Sequence, residues 1–170
     1  MYNSFLDLAK ERYSVRKYSE KKIPSELLDK VLEAGKLAPT ACNNQPQKIM
    51  VIDTPEGFEK LKKSTPYTFG APAMLIICYD KDEAWESPFN GQTSGYVDAS
   101  IVTTHMILEA TELGFGTCWV MYFDPAVLSK EFNLSENLVP VALLPIGYPA
   151  EDAKPAKMHE DRKDIHKTVI

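Results

Sequence analysis

Apolar positions recur three and four residues apart through PSELLDKVLEAGKLAP, where Leu27, Leu28, Val31, Leu32 and Leu37 fall at helical spacing. Ser25 is placed to cap that helix, Glu26 suits its positive end and Pro39 marks its stop. A shorter helix is predicted over NSFLDLAKER, with Ser4 as N-cap and Phe5, Leu8 and Ala9 turned inward. KIMVID reads as a strand and PEGFEKLKKS as the helix after it. AMLIICYD is apolar at both odd and even positions, which predicts a central strand covered on both faces. The longest helix is predicted over YVDASIVTTHMILEATELG, ended by Gly114. Its apolar residues Val97, Ile101, Val102, Met106, Ile107, Leu108 and Leu113 cover more than one face, so it is buried on several sides, in the core or against a partner chain.

TCWVMYF predicts a short strand or extended turn, and DPAVLSKEF a helix with Asp124 as N-cap and Pro125 at its first position. LVPVALLPIGYP predicts a last core strand. The tail EDAKPAKMHEDRKDIHKTVI is polar and charged until its end, and wrapping a second subunit would tie it down. Helices and strands alternate loosely, which gives an α+β class (or an α/β three-layer type). No repeat, low-complexity tract or linker divides the chain, so residues 1–170 are expected to form one domain.

The net charge of −5 argues against nucleic acid as the main partner, yet it leaves room for a local basic pocket. The first residues carry no apolar signal core and the apolar runs are too short for a membrane helix, so a cytoplasmic protein is expected. Cys42, Cys78 and Cys118 form no C-x-x-C pair and His105, His159 and His166 no H-E-x-x-H pair, so no metal site is expected. GFGTCW lacks the third glycine of a dinucleotide fingerprint. The loop KDEAWESPFNGQTSG carries Trp85 and Phe89, and an aromatic-bearing loop of that length is often functional.

Four stretches stand out together. RYSVRKYS and EDRKDI supply Arg12, Arg16, Arg162 and Lys163 from opposite ends of the chain, and with the Ser14 hydroxyl they are the groups a dianionic phosphate needs. APTACNNQP offers Thr40, Asn43, Asn44 and Gln45 to a polar heterocycle, and GFGTCWVMYF offers backbone groups and an apolar wall. The residues by themselves point to a phosphate-bearing ligand with an aromatic part.

In this order the four stretches resemble the nitroreductase family of FMN-dependent oxidoreductases. Arg12, Ser14 and Arg16 match its R-x-S-x-R/K pattern, APTACNNQP its A-P-S-x-x-N-x-Q-P segment, LGFGTCW its L-G-x-G-T-C-W segment, and Arg162 and Lys163 its late R-K pair. The resemblance covers nearly the whole chain. It implies a central mixed β-sheet flanked by helices, an intertwined homodimer, and a tightly bound, non-covalent FMN at the subunit interface. It further implies that Arg12, Tyr13, Ser14, Arg16, Arg162 and Lys163 hold one FMN and that Thr40, Ala41, Asn43 and Gln45 reach it from the other subunit. Trp119, Val120 and Met121 would lie along the isoalloxazine. NAD(P)H would act as transient donor in a ping-pong cycle reducing nitroaromatic, quinone or related electron-poor acceptors, and no side chain is nominated as catalytic. STPYTFGAP lacks the asparagine that family members often carry there, leaving Tyr67 or Thr68 in its place. The short loop after the central strand suggests an open cleft that Trp85 or Phe89 could line. Alternatives are a flavin-binding sensor or storage dimer without turnover, or a specialised branch that dehalogenates aromatics or breaks down flavin.

Overall fold

A computed structural model describes residues 2–169. In chain order it contains α1 (Phe5–Glu11), α2 (Ser25–Lys36), a 3-10 turn (Ala41–Asn43), β1 (Gln47–Ile52), α3 (Pro55–Lys62) and β2 (Ala73–Asp80). Then follow α4 (Gly95–Glu112), β3 (Gly116–Thr117), α5 (Pro125–Phe132) and β4 (Leu138–Gly147), and 3-10 turns at Lys157–His159 and Ile165–Lys167. The strands form one sheet in the order β1-β2-β4-β3.

Period-two alternation in β2 explains the layers. Leu75, Ile77 and Tyr79 enter one cluster with Val31 of α2 and Val102 and Met106 of α4. Met74, Ile76 and Cys78 enter another with Leu61 of α3 and Leu128 of α5. Every residue of β2 is buried, as its unbroken apolar run requires. Each fully buried Leu, Ile or Met side chain there stabilises the fold by about 1.5–3 kcal/mol. The result is an α+β sandwich of three layers, helices on both faces of the sheet.

All the strand pairs are antiparallel, so the expected mixed sheet is mixed only at one isolated parallel bridge, Ser14 to Thr117. Apolar patterning fixes which strands are covered on both faces, but not their direction. Pro140 lies in the central strand β4, where a missing N–H is normally excluded. The register shifts beside it, between Ile77 and Cys78.

Ser4 caps α1 by accepting from the Asp7 N–H at 3.2 Å, and Asp124 caps α5 by accepting from Ala126 and Val127. Ser25 is no cap: it is the first residue of α2, and Pro24 stands at the cap position with no side-chain bond. Gly114 (φ 81°) closes α4 in a Schellman turn, its N–H bonded to Thr111 and that of Phe115 to Ala110. The inward assignment of Phe5 fails, since it is 64% exposed, and Leu37, at helical spacing with the apolar face of α2, is 72% exposed.

Candidate active site

Residues 12–18 run beside β3 as an added edge. The Val15 N–H donates to Thr117 at 2.9 Å, and the Tyr18 hydroxyl lies 3.0 Å from the Val15 carbonyl and 3.1 Å from that of Pro145. Val15 and Tyr18 are buried, and Val15 sits so close to Gly116 that a Cβ there would lie 2.4 Å from its Cγ2. With those two side chains anchored inward, Arg12, Tyr13 and Ser14 stay half-buried and Arg16 is exposed. Arg16 Nη1 donates to the Ser14 carbonyl at 3.2 Å. Among the described residues, none of the chain's three arginines, Arg12, Arg16 and Arg162, is ion-paired with a carboxylate. Lys17 is paired with Asp152 instead.

The Cys118 thiol reports the same cluster from below. Burial pushes its pKa up, while Arg16, the Ser14 hydroxyl and Arg12 pull against that rise. The thiol thus lies within electrostatic reach of both guanidiniums.

Beyond Cys118 the chain alternates. Trp119 packs against the α2/α4 cluster, and Val120 turns into the α3/α5 cluster. Val120 also exchanges both backbone bonds with Leu143 at 2.9 Å, so it builds the wall and presents no free polar group. Met121 is 65% exposed and Tyr122 70% exposed. Thr65 Oγ1 donates to the Tyr122 carbonyl at 2.7 Å, and the Tyr67 ring meets Tyr122 edge-on at 5.3 Å and Phe69 stacked at 5.7 Å. Phe69 also packs against the cluster of Val15, Tyr18 and Ala71, which links this aromatic shelf to the arginine segment. Tyr122 and Phe69 were missed in the sequence. The signal was the bulky run Met121–Tyr122–Phe123 just before the cap Asp124, too crowded for every side chain to turn inward.

The segment Thr40–Gln45 lies elsewhere. Thr40 Oγ1 accepts from the Gln45 N–H at 3.0 Å, and the Ala41 N–H donates to Asp98 Oδ1 at 2.9 Å. Cys42, Asn43 and Gln45 all hold positive φ (51°, 55° and 53°), a conformation costing an L-residue about 1–2 kcal/mol each. Such strain persists only where the surroundings hold it. This segment leads into β1, at the opposite edge of the sheet from β3. Three strand spacings, about 14 Å, separate the two edges. One chain therefore does not bring Thr40, Ala41, Asn43 and Gln45 together with Arg12, Ser14 and Arg16.

The loop bearing Trp85 and Phe89 accompanies Thr40–Gln45. Asn44 Nδ2 donates to the Glu83 carbonyl at 3.0 Å, and a groove of about 450 Å³ is lined by Ala41, Trp85 and the residues that lead into α4. Phe89 is 95% exposed at the tip. The tail returns to the arginine segment: His159 Nε2 lies 3.2 Å from the Lys10 carbonyl, and its ring meets that of Tyr13 at 6.2 Å. Arg162 and Lys163 follow, both exposed, with Arg162 Nη1 bonded to the Asp161 carbonyl at 3.0 Å.

The Nitroreductase family model matches residues 9–66 and 58–148. The chain belongs to the nitroreductase family. A nitroreductase family protein from Clostridium difficile 630 is 41% identical, with a TM-score of 0.92, covering 98% of this chain and 97% of that one. A Methanothermobacter thermautotrophicus protein, provisionally named NADH dehydrogenase/NAD(P)H nitroreductase, is 32% identical over 86% of this chain and 78% of its own. A Desulfovibrio desulfuricans protein solved in complex with FMN is 24% identical, with a TM-score of 0.84, over 100% of this chain and 97% of its own; that likeness speaks for the fold.

This nitroreductase-family chain shows no cluster of metal-ligating side chains among its described residues, and no described helix is long and apolar enough to cross a membrane. Its arginine segment and aromatic shelf lie toward the β3 edge of the sheet, and the Thr40–Gln45 segment lies at the far edge.

Proposed function

We propose that the protein is an NAD(P)H-dependent FMN oxidoreductase that works as a homodimer and reduces nitroaromatic, quinone or related electron-poor acceptors by a ping-pong route. The observation that carries this reading is that Arg12, Ser14 and Arg16 lie on one segment beside β3, neither guanidinium ion-paired with a carboxylate among the described residues, in a chain of net charge −5. Cations left free of carboxylates fit a phosphate dianion, which guanidinium forks bind in a bidentate way. FMN, when bound, supplies the hydride chemistry.

The chain's own residues supply the rest. Arg12, Ser14 and Arg16 hold the phosphate, aided by Arg162 and Lys163 from the tail. Thr40, Asn43 and Gln45 of a second subunit offer a hydroxyl and amides to the polar edge of the heterocycle. Trp119 and Met121 provide an apolar wall that excludes water, with the Tyr67–Tyr122 shelf beside it. No side chain in the pocket is assigned as acid or base.

A second subunit is supported by a bare apolar face. Tyr96, Val97, Ser100, Ile101, Thr104 and His105 of α4 line an open groove of about 460 Å³. Phe5 and Leu8 of α1 extend it with Ala34 and Leu108 through a groove of about 500 Å³. Val97 is 59% exposed and Tyr96 49%, a large apolar surface for an isolated chain. The test is a visible spectrum of purified protein before and after anaerobic NADH or NADPH, followed by an acceptor panel. A yellow protein that bleaches with donor and recolours with acceptor is expected. A protein that stays colourless with added FMN refutes the reading, and one that binds FMN but never bleaches is a flavin-binding dimer without turnover.

A further inference from the structure

Asp98 is only 2% exposed, and it lies under the groove lined by Ala41 and Trp85. It sits in the first turn of α4, where an acid normally only complements the helix dipole from solvent. Here the two oxygens are divided. Oδ2 accepts from the Ser94 hydroxyl at 2.6 Å, on its own helix. Oδ1 accepts from the Ala41 N–H at 2.9 Å, 57 residues away. That amide opens the turn in which Cys42, Asn43 and Gln45 are held at positive φ. Within the segment, the Thr40 hydroxyl is bonded to the Gln45 N–H, and the Gln45 side chain to the Asn43 carbonyl at 3.2 Å. Outward ties come from Asp98 and from Asn44, whose Nδ2 reaches the Glu83 carbonyl. Of these two, only the Asp98 tie is made by a buried carboxylate on a rigid helix.

We infer that Asp98 is a positioning residue for the flavin site: its carboxylate locks the strained Thr40–Gln45 turn onto α4, presetting the hydroxyl and amides that the second subunit offers to FMN. The inference rests on the functional reading above, and it assigns to Asp98 no contact with cofactor or substrate. Its physical basis is pre-organisation. A turn of three positive-φ residues relaxes when its anchor is lost, and the flavin must then bear the cost of ordering it. A carboxylate is suited to the task because a charge-assisted bond to a backbone N–H is stronger than a neutral one.

Three variants and two readouts test it. Asp98→Ala removes both bonds. Asp98→Asn keeps an oxygen for the Ala41 N–H and turns its amide to Ser94, whose hydroxyl can accept. Ser94→Ala removes only the helix-side bond. FMN titration of flavin-stripped protein should show Asp98→Ala weakened by at least about tenfold, Asp98→Asn rescued to within about threefold, and Ser94→Ala near wild type. Hydrogen exchange without flavin should show residues 41–45 losing protection in Asp98→Ala but not in Ser94→Ala. If Asp98 only caps the helix, Ser94→Ala and Asp98→Ala lose thermal stability together while FMN affinity and exchange at 41–45 hold, and the inference is overturned. Should Asp98→Ala fail to fold, Asp98→Asn decides: unprotected 41–45 in a folded Asn variant overturns the idea that its retained oxygen suffices, and protected 41–45 supports it. If wild-type protein does not bind FMN, the functional reading fails, and exchange at 41–45 still decides whether Asp98 holds the turn.

Discussion

Removing the Arg16 guanidinium isolates the phosphate seat from the rest of the flavin pocket. Arg16 is exposed, makes one intrachain bond to the Ser14 carbonyl at 3.2 Å, and is paired with no carboxylate among the described residues. Arg16→Ala should therefore leave folding stability within about 0.5 kcal/mol of wild type. A hydrogen bond to a charged group contributes about 1.5–3 kcal/mol, and solvent screening at this exposed position favours the lower end. That corresponds to roughly a tenfold rise in the FMN dissociation constant. The assay is fluorescence quenching of flavin by stripped protein, run in parallel with riboflavin, which has the same ring system but no phosphate. Riboflavin should bind wild type and Arg16→Ala within about twofold, and added salt should weaken FMN binding more in wild type than in the variant. Equal losses for FMN and riboflavin would show that Arg16 acts on the ring or on the fold. No loss for either would remove it from the site altogether.

Gly116→Ala would place a methyl 2.4 Å from Val15 Cγ2 and should cost about 1–3 kcal/mol in urea denaturation, with FMN affinity falling as the arginine segment is pushed outward; an unchanged midpoint refutes the packing argument. Ile101→Glu, on the bare α4 face, should give monomers by light scattering that no longer retain FMN, and a flavin-loaded monomer would refute the shared site. The Asn137 amide, 2.6 Å from Asp80 Oδ2, is the main cause holding the Asp80 carboxyl below its ordinary 3.8, helped by the Asp82 N–H. That stability is full above about pH 3.8 and is lost as pH falls further, so Asn137→Ala should be destabilised at neutral pH and converge on wild type in acid; a pH-independent gap in urea midpoints contradicts the assignment. Mixing Arg16→Ala chains with Thr40→Ala chains should restore high-affinity FMN binding at about a quarter of all sites, because half the dimers are mixed and each of those carries one undamaged pocket. No recovery means that both residues serve the same chain's site.

The parts of the fold legible in the sequence were those where a local pattern has one physical solution. Seven consecutive apolar residues, Ala73 to Tyr79, can only be a strand covered on both faces, and β2 is buried from Ala73 to Asp80. Asp124 followed by Pro125 can hardly do other than start a helix. Phe5 was assigned inward and faces out, because periodicity marks residues that need cover without saying which chain provides it. Leu37 continues the helical spacing but is exposed, since α2 ends at Lys36. Charge and spacing single out Arg12, Ser14 and Arg16, and the structure sets them on one segment beside β3. Asp98 was not legible: an acid in a first helical turn looks like a dipole partner, and only the fold brings Ala41 to it. The Tyr67–Tyr122 shelf was hidden in the same way, as two loops apart in sequence but joined through Thr65.

The position of α4 relates the two half-sites. Its first turn holds the Thr40–Gln45 segment through Asp98, and its last turn passes through Gly114 directly into β3, which carries the arginine segment on its edge. Eighteen residues of helix span about 27 Å, so the two segments sit near opposite ends of one rod. A two-fold axis across the middle of α4 runs the two rods antiparallel, and the beginning of each then lies beside the end of the other. In the proposed homodimer that single symmetry operation sets the Thr40–Gln45 half of one chain against the Arg12–Arg16 half of its partner, twice over. The uncovered apolar face of α4 and the incomplete pocket thus have one explanation. It also accounts for the breadth of the apolar pattern on α4, since one side packs on β2 and, in the proposed homodimer, the other packs on its own copy.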